Sequence, residues 1–148
     1  GNTVSITQLW SSGGRPKEGH RYLDSRLNYL NHLDPLAGVA QLYFDRIGGM
    51  TESDSLCLGG ILCCWNDNNV SDIYDILRHN PVYPGILTYS QVSWHGQKKN
   101  TGEKYLAKFP APDNELFAEF SEFEDRLVQH RDKYFESKPF PYVKQTDI

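Results

Sequence analysis

Residues 56–70 read LCLGGILCCWNDNNV, ten largely apolar residues without a charge that end at Trp65, followed by Asn66, Asp67 and Asn68. An uninterrupted apolar run of this length is typical of a strand buried on both faces of a parallel sheet. Ligands bind at the carboxyl ends of such strands, and residues two apart point to the same side. Trp65 and Asp67 are therefore the first candidate site residues. The alternative is that Trp65 is an ordinary core aromatic and Asp67 belongs to the first turn of the next helix.

Two earlier segments also predict strands with an aromatic residue near the carboxyl end. Residues 2–10 carry an alternating apolar pattern that ends at Trp10. Residues 21–31 have little helical periodicity, and Tyr29 and Asn31 lie at the end of this segment, directly before a helix start. The central strand is expected to pair in parallel with this second segment and to be the most buried part of the chain.

The remaining segments predict helices. Asp34, with Pro35 after it, caps a crossover helix that runs to Ile47, and Ser71 caps a helix that stops before Asn80. Further helices are expected at 82–96 and, after a polar crossing loop at 97–112, from an Asp113 cap to Tyr134. The order is that of consecutive β/α units, hence an α/β fold. Three units cannot close a barrel that needs ~250 residues, so the fold is either small and unusual or part of a larger barrel.

Composition limits the function classes. The 148 residues are 39% hydrophobic with a net charge of −4, which fits a folded domain and provides no basic stripe for nucleic acid. No apolar run approaches the ~20 residues that span a bilayer, and the first residues lack the pattern of a signal peptide, so any targeting information is expected to lie elsewhere.

Cysteine and histidine give no metal signature. Cys57, Cys63 and Cys64 lie within the central apolar run and are interpreted as buried thiols. The five histidines show no pair at metal-ligand spacing, so neither a metal nor another cofactor is expected. The adjacent acids Glu124 and Asp125 are predicted to be solvated on the polar side of the last helix.

Four motifs, QLW at 8–10, NYLN at 28–31, LGGILCCWND at 58–67 and SQVSWHG at 90–96, resemble the C-terminal part of the catalytic barrel of family 20 glycoside hydrolases, the β-N-acetylhexosaminidases. The LGG…W-x-[DE] element is the most specific of them. The resemblance implies that residues 1–112 are the sixth to eighth β/α units of a TIM (β/α)8 barrel, and that residues 113–148 are a C-terminal amphipathic helix and tail docked on it.

The resemblance also implies roles for individual residues. Trp10 and Trp65 would be walls of the pocket around an N-acetylglucosamine-type ring, and Tyr29 would hydrogen-bond the carbonyl of its 2-acetamido group during catalysis. Asn31 and Asp67 stand where the family usually has an Asp and a Glu contacting hydroxyls on the rim of the ring. Both are departures that bear on which hydroxyl epimer is preferred.

The reaction implied is exo-acting, retaining hydrolysis of terminal N-acetylglucosamine or N-acetylgalactosamine, in which the substrate's acetamido oxygen attacks the anomeric carbon. The family carries the required Asp-Glu pair in an H-x-G-G-D-E motif that does not occur here. The acid/base pair must come from outside these residues or be absent, so this stretch alone is expected to be inactive. Its partners would be N-acetylhexosamine-terminated glycans and the remainder of the barrel, in a periplasmic, secreted or surface-attached enzyme. The alternative is a non-catalytic carbohydrate-binding or structural module.

Overall fold

The structure, a computed structural model, describes residues 5–31, 34–44, 47, 55–65, 71–95 and 109–148. Within these residues the chain forms three strands, four α-helices and a final short 3-10 helix. In chain order they are β1 (Thr7–Leu9), β2 (Tyr22–Asp24), α1 (Pro35–Phe44), β3 (Cys57–Gly60), α2 (Asp75–His79), α3 (Val82–His95), α4 (Phe117–Tyr134) and the 3-10 helix Gln145–Asp147.

The strands form one parallel sheet in the order β1-β2-β3. Thr7 is opposite Tyr22, and Tyr22 is opposite Cys57, so β2 lies in the middle. Parallel pairing resumes beyond the regular strands, where Tyr29 bridges Cys63. The predicted parallel neighbour of the central segment is thus confirmed, and α1 is the predicted crossover helix between them. The fold is mixed α/β with a parallel sheet; its membership of a larger barrel stays a prediction.

The start of α1 follows from local chemistry. Oδ1 of Asp34 accepts hydrogen bonds from the backbone N–H groups of Leu36, at 3.0 Å, and Ala37, at 3.1 Å. Pro35 occupies the first turn, where its missing N–H costs nothing. This capping residue was predicted from the sequence.

The core lies between the helices. Rings from α1 and α4 meet there: the centroid of Tyr43 is 4.9 Å from those of Phe44 and Phe120 and 4.8 Å from that of Phe123. The cluster of buried hydrophobic residues spans α1, α3, α4 and the C-terminal segment and comprises Val39, Ala40, Tyr43, Phe44, Val92, Phe120, Phe123, Leu127, Phe140 and Tyr142. Residues on both sides of position 113 therefore share one core.

The prediction that residues 56–65 are the most buried segment is wrong. In this segment Leu58 is 46% exposed and Trp65 is 61% exposed, whereas Val39 and Phe120 are fully buried. The reason is position, because β3 is an outer strand of the three-stranded sheet. The prediction that the three cysteines are buried thiols is also wrong, because Cys57 and Cys63 are half-buried and Cys64 is exposed.

Two predicted caps and one predicted surface residue are also corrected. Asp113 and Ser71 do not cap helices, because α4 begins at Phe117 and α2 at Asp75. Glu124 is fully buried instead of solvated. The C-terminal segment folds back over this side of α4.

That segment provides the partners of the buried Glu124 carboxylate. Its Oε1 accepts hydrogen bonds from the Tyr142 hydroxyl, at 2.6 Å, and from the backbone N–H of Gln145, at 3.0 Å. Arg131, two turns further along α4, donates to the backbone oxygen of Tyr142 at 2.8 Å. The tail is thus anchored to α4 by polar contacts as well as by the core.

Candidate functional site

A cavity of about 470 Å³ opens where the three strand segments end. This volume is within the range of small-molecule sites, roughly 300–1,000 Å³. Its lining is Gln8, Trp10, Tyr29, Asn31, Cys63 and Trp65. Four of the five predicted site residues are therefore together in one concavity, although they come from three separate segments. The fifth, Asp67, lies outside the described residues.

The lining consists of three pairs of residues, and the members of each pair are two positions apart. Gln8 and Trp10 bracket the end of β1, Tyr29 and Asn31 follow β2, and Cys63 and Trp65 follow β3. Successive side chains of extended backbone point to opposite faces, so each pair projects to the same side. Gln8 and Cys63 were missed by the sequence analysis, although this two-residue spacing from each Trp was available to find them.

Both tryptophans present their rings to solvent at the cavity. Trp10 is 66% exposed and Trp65 is 61% exposed, although indole rings are usually well buried in folded proteins. This exposure contradicts the alternative that Trp65 is an ordinary core aromatic. Flat apolar rings held at the mouth of a concavity are suited to bury an apolar face of a ligand.

Tyr29 supplies a phenol to the cavity. Burial raises the pKa of Tyr29, and the neighbouring Cys63 thiol raises it further. The hydroxyl therefore keeps its proton at neutral pH and can donate a hydrogen bond.

Gln8 is held by the end of β2. Its Nε2 donates to the hydroxyl of Ser25 at 3.2 Å, and that hydroxyl donates to the backbone oxygen of Leu9 at 3.0 Å. Ser25 is fully buried, and its hydroxyl links the ends of β1 and β2.

A partly buried ion pair supports the same strand ends. Arg26 donates from Nε to Oδ1 of Asp24 at 2.9 Å and from Nη2 to Oδ2 at 2.8 Å, and this bidentate bond raises the pKa of Arg26. The third guanidinium nitrogen donates to the backbone oxygen of Gly14 at 3.1 Å. The pair thus ties the loop after β1 to the end of β2, a support that the sequence analysis did not identify.

Close packing at Gly60 joins β3 to the end of β2. A Cβ at this position would overlap the backbone oxygen of Asp24 and the hydroxyl of Tyr89, and would lie 2.9 Å from Nδ2 of Asn28. Only glycine fits, and the close approach keeps the ends of β2 and β3 together.

The lining in the described residues is electrically neutral. Amide, phenol, thiol and indole groups occupy it, with no carboxylate or amine among them. Such a surface favours an uncharged ligand with an apolar face and a polar rim. The described lining contains no carboxylic acid and no imidazole, the groups that most often protonate a leaving group.

The fourth motif of the sequence analysis lies elsewhere. Residues 90–95 belong to α3, where Trp94 is 87% exposed and lines a separate hollow of about 270 Å³ between α3 and α4. Within the described residues, no helix has the length and apolar character to cross a membrane, and no three His, Cys, Asp or Glu side chains are grouped to hold a metal ion.

No family model, curated protein or solved structure matches this chain.

Proposed function

We propose that this chain supplies part of the sugar-binding pocket of an exo-acting β-N-acetylhexosaminidase of glycoside hydrolase family 20. The observation that carries the proposal is the neutral cavity with Trp10 and Trp65 exposed at its mouth, located where parallel strands end. A pyranose has apolar C–H faces and a polar rim of hydroxyls. Two indoles can bury the faces, while phenol and amide groups bind the rim.

The residues take different roles in this proposal. Trp10 and Trp65 enclose the ring, and Tyr29 donates its phenolic hydrogen to the carbonyl of the 2-acetamido group. Asp67, outside the described residues, follows Trp65 by two positions and would bind a hydroxyl on the rim. Holding the acetamido group in place favours attack of its oxygen on the anomeric carbon, because a fixed geometry lowers the entropic part of the barrier.

The acid/base pair and the rest of the barrel belong to other residues in this proposal. An Asp would orient the acetamido group, and a Glu would protonate the leaving oxygen and later activate water. The open arrangement of the sheet supports this, since β1 and β3 are outer strands of the described sheet and can pair with further strands. N-acetylhexosamine-terminated glycans are the proposed substrates, and a periplasmic, secreted or surface-attached location is proposed with them.

The second candidate is a carbohydrate-binding module without catalysis. One observation favours it: the described lining holds aromatic and amide groups but no carboxylic acid. Binding of the sugar is common to both candidates, so it is tested first.

The test is a titration of the chain with N-acetylglucosamine, followed by tryptophan fluorescence, with glucose as the control sugar. A Trp94→Phe background removes the signal of the tryptophan that lies outside the cavity. We expect a saturable change with a millimolar dissociation constant for N-acetylglucosamine and a weaker response to glucose, which lacks the acetamido group. Equal responses to both sugars, or none up to about 50 mM, would contradict the proposal.

The two candidates are then separated with the full-length product of the gene. Turnover of an aryl N-acetyl-β-glucosaminide favours the hydrolase. Binding of N-acetylglucosamine without turnover favours the module.

A further inference from the structure

The hydrogen-bond ladder between the segments after β2 and β3 ends in an unusual way. The backbone N–H of Cys63 donates to the backbone oxygen of Asn28 at 2.7 Å, and the N–H of Leu30 donates to the oxygen of Cys63 at 2.9 Å. In a regular parallel ladder the next N–H, that of Trp65, donates to the backbone oxygen of Leu30. Here it donates to the side-chain Oδ1 of Asn31 instead, at 2.6 Å.

The Asn31 side chain thus takes the place of a peptide group. The carbonyl oxygen of the Asn31 side chain accepts hydrogen bonds as a backbone oxygen does, but it belongs to a side chain and not to the peptide backbone. The last pairing contact is preserved through a side chain. This contact lies among Tyr29, Cys63 and Trp65, which line the cavity.

We propose that Asn31 is a positioning residue that fixes the backbone of Trp65 and thereby the position of the Trp65 ring as a wall of the cavity. The resemblance to family 20 implies a direct contact between Asn31 and a sugar hydroxyl. In the structure, Oδ1 of Asn31 accepts a hydrogen bond from the backbone N–H of Trp65, 34 residues away along the chain. The consequence for sugar binding rests on the proposed function, whereas the link between Asn31 and Trp65 does not.

Two substitutions separate the acceptor role from a donor role. Asn31→Asp keeps an oxygen where Trp65 needs one but removes the NH₂ donor, and Asn31→Leu removes both at similar size. If Asn31 acts through Trp65, Asp restores the behaviour that Leu loses. If it acts by donating to a ligand, Asp is as defective as Leu.

The first experiment needs no sugar. The chain contains three tryptophans, so selective ¹⁵N-Trp labelling gives three backbone amide signals, which Trp10→Phe and Trp94→Phe variants assign. We expect amide exchange of Trp65 to be roughly threefold to tenfold faster in Asn31→Leu, and close to wild type in Asn31→Asp. Unchanged exchange in Asn31→Leu, with Trp10 and Trp94 as internal references, overturns the proposal.

The second experiment uses N-acetylglucosamine as the probe. We expect Asn31→Leu to weaken binding about threefold to tenfold and Asn31→Asp to stay within about twofold of the wild type, because Asp keeps the oxygen that accepts the hydrogen bond from Trp65. Equal losses in the two variants overturn the proposal. If the wild-type chain does not bind the sugar, the proposed function fails, and the exchange experiment still decides the role of Asn31.

Discussion

Replacement of Trp65 by alanine distinguishes a ligand-contacting ring from a core ring. Trp65 is 61% exposed, so only the remaining 39% of its surface is removed from water. Truncation of a fully buried Trp costs about 3–5 kcal/mol, and the same fraction of that cost is about 1–2 kcal/mol. We therefore expect Trp65→Ala to lower the free energy of unfolding by about 1–2 kcal/mol and to leave the fold intact.

Trp65→Ala is expected to remove a larger share of the free energy of sugar binding than of the free energy of unfolding. If a sugar ring and the indole together bury about 50–100 Å² of apolar surface, the contact contributes about 1.3–2.5 kcal/mol at ~25 cal/mol per Å². Loss of that contact weakens binding of N-acetylglucosamine about 8- to 60-fold. The binding energy of a single monosaccharide is only a few kcal/mol, so most of the measurable affinity would disappear.

The assay measures both quantities on one preparation. Urea denaturation followed by far-ultraviolet circular dichroism gives the free energy of unfolding, and calorimetric titration gives the affinity. Trp94→Ala is the matched control, because Trp94 is 87% exposed and lies outside the cavity, so neither quantity should change appreciably. A loss of more than about 3 kcal/mol in stability with unchanged affinity would show that Trp65 is a core residue and not a ligand contact.

Three further predictions address the packing and the chemistry. Gly60→Ala should lower the free energy of unfolding by about 1–3 kcal/mol or more, because the added Cβ meets a backbone oxygen that cannot move aside, whereas Gly13→Ala, with no atom within 4 Å, should change it by less than about 0.5 kcal/mol. Equal effects in the urea midpoint would contradict this. Tyr142→Phe should cost about 1–3 kcal/mol by the same measurement, because the buried Glu124 carboxylate loses a donor at 2.6 Å; a cost below about 0.5 kcal/mol would show that the contact is dispensable. The 148-residue chain alone should not hydrolyse an aryl N-acetyl-β-glucosaminide, because the sequence lacks the Asp-Glu motif whose acid contributes ~10²–10⁴-fold, and turnover at the rate of a complete enzyme would exclude the assignment.

Several features were predictable because their causes are local. Asp34 followed by Pro35 specifies the start of α1 through contacts within one turn, so the capping hydrogen bonds were foreseen. The two-residue spacing of Tyr29 and Asn31 is likewise a property of extended backbone. The order of elements, the crossover helix and four of the six residues that line the cavity could therefore be predicted from the sequence.

Other features depended on which segments meet. The apolar run around Leu58 predicts a strand, but its burial depends on whether strands flank it on both sides, and in the described sheet β3 is an outer strand. The polar side of α4 predicts solvent exposure, yet Glu124 is fully buried because the C-terminal segment folds back over it. Neither outcome is encoded in the periodicity of the segment itself.

The candidate site also combines features predictable from local sequence with features that depend on tertiary packing. The sequence pattern predicted that Trp65 and Asn31 lie at the carboxyl ends of their segments, whereas the replacement of a peptide oxygen by the Asn31 side chain is visible only in the tertiary structure. Such a contact depends on the register of two segments 34 residues apart, and register is set by packing of the whole sheet and not by either segment alone.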